Sequence, residues 1–379
     1  MLTRSIYQEE HEIFRNAVRK FCESEITPHA EEWERQGVMP REFWLKAGQQ
    51  GLLGAQVPEE YGGPGGDFYF NAIIDEEFAY TGASALVGCS VHSDICCGYI
   101  LRFGTEEQKR TWLPRLVSGE VISAIAMTEP GTGSDLQSIR TTATRDGDDY
   151  VINGAKTFIS NGQTADLVIV VAKTDPGQGS KGTTLFLVES HREGFSRGRN
   201  LKKIGLKGQD TSELFYDNVR VPAANRLGAE GMGFVQLMQE LPQERMGLSV
   251  GAAAAAQKAY DITLEYVRER RAFGKPIADF QNTRFKLAEL KTQLAVGWAY
   301  IDQCLAKHVR GELTVDEAAM AKLWLTELQG RVVDECVQLH GGYGYMSEYL
   351  IARMYVDARV QRIYGGTSEI MKEIISRNL

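Results

Sequence analysis

The sequence predicts an α+β protein, mostly α, in which helices are followed by a small antiparallel β unit and then by helices again. Three observations carry this expectation. Apolar residues recur at helical spacing in the first third. A stretch beginning near Val121 alternates instead and is rich in β-branched side chains. Helical spacing then returns in longer runs from Gly231. The expected units are residues 1–120, 121–230 and 231–379.

In the first unit, "EEHEIFRNAVRKFCESEI" places Phe14, Val18, Phe21 and Ile26 near one helical face. "FGTEEQKRTWLPRLVSGE" offers Thr105 with Gln108 three residues later, a capping box in which each side chain satisfies the other's free backbone N–H. Gly119 closes that helix. In the second unit, "TTATRDGDDYVINGAKTFIS" alternates and carries turn signals at Asp146-Gly147 and Asn153-Gly154. "DLVIVVAK", "TTLFLVES" and "ELFYDNVRVP" read as further strands. In the third, Leu290, Leu294, Trp298, Ile301 and Leu305 form one buried stripe. "GAAAAAQKAY" from Gly251 combines helix propensity with side chains small enough for close helix approach.

Composition excludes several classes. With 379 residues and 43% hydrophobic content, the chain is long enough for a large core. Net charge is −8 and no basic block suggests a nucleic-acid surface. The apolar runs are too short to span a membrane, and the N-terminus turns acidic without an apolar signal core, so a soluble cytoplasmic protein is expected. Cys22, Cys89, Cys96, Cys97, Cys304 and Cys336 form no CxxC pair and read as small buried residues in a reducing compartment. The six histidines show no ligand spacing, so no metal site is expected, and no GxxxxGK[ST] loop occurs.

Four stretches have residue types suited to chemistry. "AMTEPGTGSD" (Ala126–Asp135) contains glycines that let backbone approach a ligand, with hydroxyls at Thr128 and Ser134; it also reads as a plain turn. "KTFISNG" offers an aromatic face at Phe158 beside Ser160, or an ordinary strand. "RERRAFGKPIADFQ" clusters basic residues that suit a pyrophosphate, or a solvated face. "QLHGGYGY" reads as a glycine rim or as a helix stop.

The order and spacing of these stretches, with "GLKGQDTSELFYDNVRVP" and the terminal "IYGGTSEI", resemble the acyl-CoA dehydrogenase family over almost the whole chain. "LPQERM", "MAKLW", "CVQLHGGYGYM" and "YVDARVQRIYGGTSEIMKE" resemble its long-chain and isovaleryl-type branch. The resemblance implies an N-terminal helical domain, a middle antiparallel β domain and a C-terminal four-helix bundle. It implies FAD as cofactor, with Ile125, Met127, Thr128, Gly133, Ser134, Phe158, Ile159 and Ser160 along the flavin. Arg270, Phe273, Gln281, Gln338, Leu339, His340, Gly341 and Gly342 would meet the pyrophosphate and adenine side from a neighbouring subunit, and Thr367 and Glu369 match further FAD contacts. Phe158 stands where tryptophan is common, and Ala272 where a hydroxyl is frequent. Ser134, Leu241, Arg245, Tyr364, Gly365 and Gly366 match the substrate-binding positions. The implied assembly is a homotetramer, a dimer of dimers, passing electrons to an electron-transferring flavoprotein.

The implied reaction is α,β-dehydrogenation of an acyl-CoA thioester: a carboxylate takes the α-proton, the β-carbon gives hydride to the flavin, and donors including the Gly365 N–H meet the thioester carbonyl. Many relatives carry the base where this chain has Gly365. In the long-chain and isovaleryl branch a glutamate about 120 residues earlier reaches the same space. Glu240 and Glu244 compete for that role. Pro242 argues against one unbroken helix presenting both, and the arginine that follows the base in relatives selects Glu244, before Arg245. Burial is expected to raise the pKa of Glu244, and glycine at 365 to leave it room. The helix around "SVHSDICCGYIL" (Ser90–Leu101) is expected to help set the floor of an apolar acyl cavity, which gains roughly 0.8 kcal/mol per buried methylene. Butyryl-CoA should therefore be a poorer substrate than medium-to-long or methyl-branched acyl-CoA. The alternatives are an oxygen-using acyl-CoA oxidase, an inactive flavin-binding scaffold, and a helical bundle without a cofactor.

Overall fold

The computed structural model describes residues 4–377 and 379. The N-terminal helices are α1 (Glu9–Phe21), α2 (Ala30–Gln36), α3 (Arg41–Gln49), α4 (Phe68–Tyr80), α5 (Val87–Ser90), α6 (Cys97–Phe103) and α7 (Glu106–Val117). A π-helical turn, Val91–Cys96, joins α5 to α6. The Thr105–Gln108 capping box opens α7 as the sequence predicts, and Gly119 follows its end with φ +74°.

The strands are β1 (Ser123–Ala126), β2 (Thr142–Asp146), β3 (Asp149–Ser160), β4 (Leu167–Lys173), β5 (Thr183–Glu189), β6 (Phe195–Asn200), β7 (Thr211–Pro222) and β8 (Arg226–Leu227). They form one sheet in the order β6-β7-β3-β2-β4-β5-β8, with β1 beside β4. The antiparallel expectation holds for β2–β3, β3–β7, β4–β5, β5–β8 and β6–β7. It is corrected at β4, whose pairing with β1, and with β2 at Thr142, is parallel. Every residue of β4 is buried, as befits a strand covered on both faces. Leu167, Ile169 and Val171 join the core shared with Leu113 and Leu116 of α7, while Val168, Val170 and Ala172 face the interior of the β unit.

Of the two turn signals, Asp146-Gly147 is a hairpin turn closed by the Asp146–Asp149 pair. Asn153-Gly154 is not a turn: β3 runs through it with a register shift between Ile152 and Gly154. A Cβ at Gly154 would lie 2.4 Å from Thr141 Oγ1, so the glycine serves a bulge and a close approach rather than a reversal.

The C-terminal helices are α8 (Gly233–Glu269), α9 (Gln281–Val309), α10 (Val315–His340), α11 (Leu350–Asp357) and α12 (Ser368–Ser376), with a short ribbon, β9 (Arg271–Ala272) and β10 (Lys275–Pro276), between α8 and α9. The predicted stripe from Leu290 to Leu305 is buried. Ala252, Ala253, Ala254, Ala256 and Ala259 of α8 are also buried and let α8 pack closely among α4, α9 and α10. All six cysteines are buried free thiols. Among the described residues, no helix is long and apolar enough to cross a membrane.

Candidate active site

Helix α8 does not break at Pro242, which corrects the expectation drawn from that residue. Proline there removes one N–H and frees the carbonyl of Met238, on a turn whose Met238 side chain is exposed, and packing on its other sides carries the helix through. Glu240 and Glu244 therefore share a face, and both are buried. Their partners separate them. Arg102 lies 3.0 Å from Glu240. Glu244 has no cation within salt-bridge range among the described residues and accepts one hydrogen bond, from the Tyr99 hydroxyl of α6 at 3.1 Å. Burial pushes the Glu244 carboxyl up to about 7; the Tyr99 hydrogen bond opposes this, the Glu240 charge adds to it, and Arg245 opposes it. A carboxylate so placed takes a proton at neutral pH far more readily than one in water.

The next turns of α8 meet the segment Tyr364–Gly366. Arg245 is buried and points Nε at the Gly365 carbonyl, 3.5 Å away. Gly365 and Gly366 have φ of +63° and +95°. A Cβ on Gly365 would lie 2.4 Å from Leu248 Cδ1, and one on Gly366 would lie 2.6 Å from Met371 Cε. A side chain at 365 would therefore meet Leu248, one turn beyond Glu244 on α8. The Lys322 ammonium of α10 donates to the Gly366 carbonyl at 2.6 Å. The Tyr364 hydroxyl is buried without a hydrogen-bond partner among the described residues. Thr367 caps α12 by accepting from the Ile370 N–H, and Glu369 is exposed in that helix's first turn.

A second group of predicted residues meets at the sheet. The Met127–Ser134 loop leaves β1, and Phe158–Ser160 ends β3. The Thr157 N–H donates to the Thr128 carbonyl at 2.9 Å. Buried Lys156 donates to the Met127 carbonyl at 3.0 Å and to Glu129 at 2.9 Å. Glu129 in turn accepts from the backbone N–H groups of Arg140 and Thr141. Ile159 turns into the core, so Phe158 alone projects an aromatic face, 67% exposed at φ +59°. Ile125 and Met127 are half-buried, and Gly133 and Ser134 exposed.

The third group lies at the far end of α8. Arg270, Phe273 and Gln281 come from its C-terminal cap, the ribbon and the start of α9. Tyr266 stacks on His340 with ring centroids 4.2 Å apart, and the Arg270 guanidinium sits over the Tyr343 ring. Gln338, Leu339, Gly341 and Gly342 are thereby brought to the basic ribbon, but not to Glu244: 26 residues of helix, about 39 Å at 1.5 Å per residue, separate Glu244 from Arg270. Leu241 is half-buried on α8, one turn from Arg245.

Family models for the acyl-CoA dehydrogenase N-terminal, middle and C-terminal domains match residues 8–120, 124–219 and 231–379. This chain belongs to the acyl-CoA dehydrogenase family. It is 53% identical over 378 residues to the mitochondrial long-chain specific acyl-CoA dehydrogenase of Sus scrofa, covering 99% of this chain and 88% of that one. The crystal structure of an acyl-CoA dehydrogenase from Geobacillus kaustophilus superposes with a TM-score of 0.97 at 50% identity, covering 99% of each chain. A glutaryl-CoA dehydrogenase from Mycobacterium smegmatis in complex with FADH2 gives 0.94 at 31% identity, covering 100% of this chain and 96% of that one.

Acyl-CoA dehydrogenases depend on FAD, and the residues present fit it. Nothing of the protein lies within 4 Å of a Cβ built on Gly131, Gly133, Gly341 or Gly342. Side-chain crowding among the described residues therefore does not demand glycine there; Gly341 has a left-handed backbone at φ +60°, and at all four positions the open space suits a ligand approaching the backbone. Phe158 and Phe273 hold left-handed backbone while 67% and 95% exposed, a conformation that bulky residues rarely keep without a reason outside their own packing. Arg270 has no carboxylate partner among the described residues, which leaves it free for a pyrophosphate.

Tyr99, Lys156, Glu129 and Lys322 do not stand out in the sequence reading. A signal existed for Lys322, since it occupies a core position between Ala318 and Leu325 on α10, where a lysine is out of place.

Proposed function

We propose that Glu244 is the base that removes the α-proton of a medium-to-long or methyl-branched acyl-CoA, giving the trans-2-enoyl-CoA. The observation that carries this reading is a buried carboxylate pushed up to about 7, with one hydroxyl partner, on the helix that packs against the Gly365–Gly366 turn. FAD, when bound, supplies the acceptor for the hydride leaving the β-carbon. The protein's own residues do the rest. Tyr99 orients Glu244, and Arg245 steadies the turn whose Gly365 N–H meets the thioester carbonyl. The Lys156–Glu129 pair fixes the loop and strand end that receive the flavin ring.

The chain-length preference is supported by the long-chain relative and by the placement of the Ser90–Leu101 segment. Its π turn and α6 lie against α8 beside the base, with the Gln243 amide donating to the Asp94 carbonyl at 3.1 Å. Exposed Phe273, Tyr343 and Tyr345 support burial of the ribbon end against another subunit of a homotetramer. Electron transfer to an electron-transferring flavoprotein accords with the dehydrogenase class, and the buried free thiols suit a reducing compartment such as the cytoplasm. The test is anaerobic flavin reduction by butyryl-, isovaleryl-, octanoyl- and palmitoyl-CoA, in wild type and Glu244→Gln. The variant should keep FAD and lose about 10²–10⁴-fold in rate, and butyryl-CoA should give the lowest kcat/KM. Normal reduction by Glu244→Gln would remove the base assignment; a maximum at butyryl-CoA would remove only the chain-length claim.

A further inference from the structure

Behind the Gly365–Gly366 turn lie two buried cations with no carboxylate in salt-bridge range among the described residues. Lys322 is 0% exposed, and its Nζ donates to the Gly366 carbonyl at 2.6 Å. Arg245 is buried one layer away and faces the Gly365 carbonyl. Among the described residues, no carboxylate oxygen lies within 4.0 Å of either head group. Burial and the neighbouring Arg245 bring the Lys322 ammonium down to about 8, against the pull of Glu327 and Glu369 from beyond salt-bridge range, so it is still mostly charged at pH 7. An unpaired buried charge is costly, and an apolar side chain of similar volume would fill the same core position with less penalty. What the lysine adds is a fixed positive charge and a fixed carbonyl.

The position of that charge is informative. A planar peptide ties each carbonyl to the N–H of the following residue. Holding the Gly366 carbonyl on the Lys322 side therefore directs the Thr367 N–H the opposite way, and Arg245 does the same for the Gly366 N–H, so the two peptides that follow the Gly365 N–H are held from the same side. The turn has no side chain at 365 or 366 and both residues are left-handed, so little else in it resists rotation of these peptides. We infer that Lys322 is a positioning residue of the dehydrogenation: it anchors the turn through the Gly366 carbonyl and, with Arg245, sets buried positive charge behind the place where the thioester gathers negative charge. The inference rests on the reading above that the thioester carbonyl meets this turn. Charge already in place when the transition state forms favours it without reorganisation.

The experiment uses the FAD-loaded enzyme with Lys322→Met, Lys322→Gln and Lys322→Arg. Each is measured for kcat, for KM, and for binding of two CoA esters of equal chain length. One is a 3-ketoacyl-CoA, whose C2–H between two carbonyls is acidic enough to give an enolate; the other is the neutral 2-enoyl-CoA. Lys322→Met should lower kcat about 10–100-fold with KM within about threefold, and weaken the ketoacyl ester at least about tenfold more than the enoyl ester. Lys322→Arg should recover most of both, and Lys322→Gln should lose the preference for the enolate while keeping a donor. Equal weakening of the two esters, or wild-type kcat in Lys322→Met, overturns the inference. Failure of all three variants to fold with FAD assigns Lys322 to the core alone and overturns it too. Glu244→Gln is run alongside. If it remains active, the site reading itself fails; if it is inactive while the Lys322 variants match wild type, only this inference fails.

Discussion

Glu244→Gln should stabilise the protein at alkaline pH while it lowers turnover about 10²–10⁴-fold. The folded-state carboxyl sits at about 7 against an ordinary 4.5, chiefly because burial penalises the charged form. A group raised in this way favours the folded state while protonated. Its contribution is fully present below 4.5 and is lost as the pH rises to about 7. The gap of about 2.5 units corresponds to on the order of 3 kcal/mol, most of it lost between pH 5 and pH 7. Glutamine keeps an acceptor for Tyr99 and never ionises, so it does not incur this loss. Urea unfolding of the FAD-loaded wild type and variant at pH 5 and pH 8 isolates the effect, because every other titrating group is common to both. The stability difference, variant minus wild type, should grow by about 2–3 kcal/mol between the two pH values. A difference that stays constant would show that Glu244 titrates near its ordinary value, and the argument from burial would fall. The same pKa requires wild-type kcat/KM to drop roughly tenfold per pH unit below 7.

Two further outcomes follow from contacts near the turn and the flavin loop. Moving the base, as Glu244→Gly with Gly365→Glu, should leave flavin reduction undetectable, because a Cβ at 365 meets Leu248 Cδ1 at 2.4 Å on a backbone at φ +63°; adding Leu248→Ala should restore measurable reduction, and a functional double variant without it would refute the steric account. Lys156→Met leaves Glu129 buried and unpaired, a loss of about 3–5 kcal/mol, and should release FAD at a lower temperature than wild type; Lys156→Met with Glu129→Gln should release it later than the single variant, and the reverse order would deny the pair its role.

The parts legible in the sequence are those written in local periodicity. The stripe from Leu290 to Leu305 and the Thr105–Gln108 box depend on neighbours three or four residues apart, and both stand in the structure. The parallel pairing of β1 with β4 is not written that way, since Ser123 meets Leu167 across 44 residues and alternation does not name a partner. Pro242 misleads for a related reason: its local preference opposes a helix, while the packing around α8 is tertiary. The competition between Glu240 and Glu244 was open to sequence reasoning, but what separates them, Arg102 on one and Tyr99 on the other, comes from a helix some 140 residues earlier.

The length of α8 has a consequence for how this chain can change. One uninterrupted helix joins Glu244 to the ribbon that begins at Arg271. In such a rod, each residue added or removed turns everything beyond it by about 100° and shifts it by 1.5 Å. A single insertion between Glu244 and Arg270 would swing the ribbon and Phe273 to another side of the molecule while the base stayed in place. Substitutions along this span can be absorbed one at a time, but changes of length cannot. The exposed stretch Pro176–Gly179 between β4 and β5 carries no such constraint. Loss or gain of residues among the descendants of this chain should therefore collect in loops of that kind and leave the count from Glu244 to Arg270 unchanged.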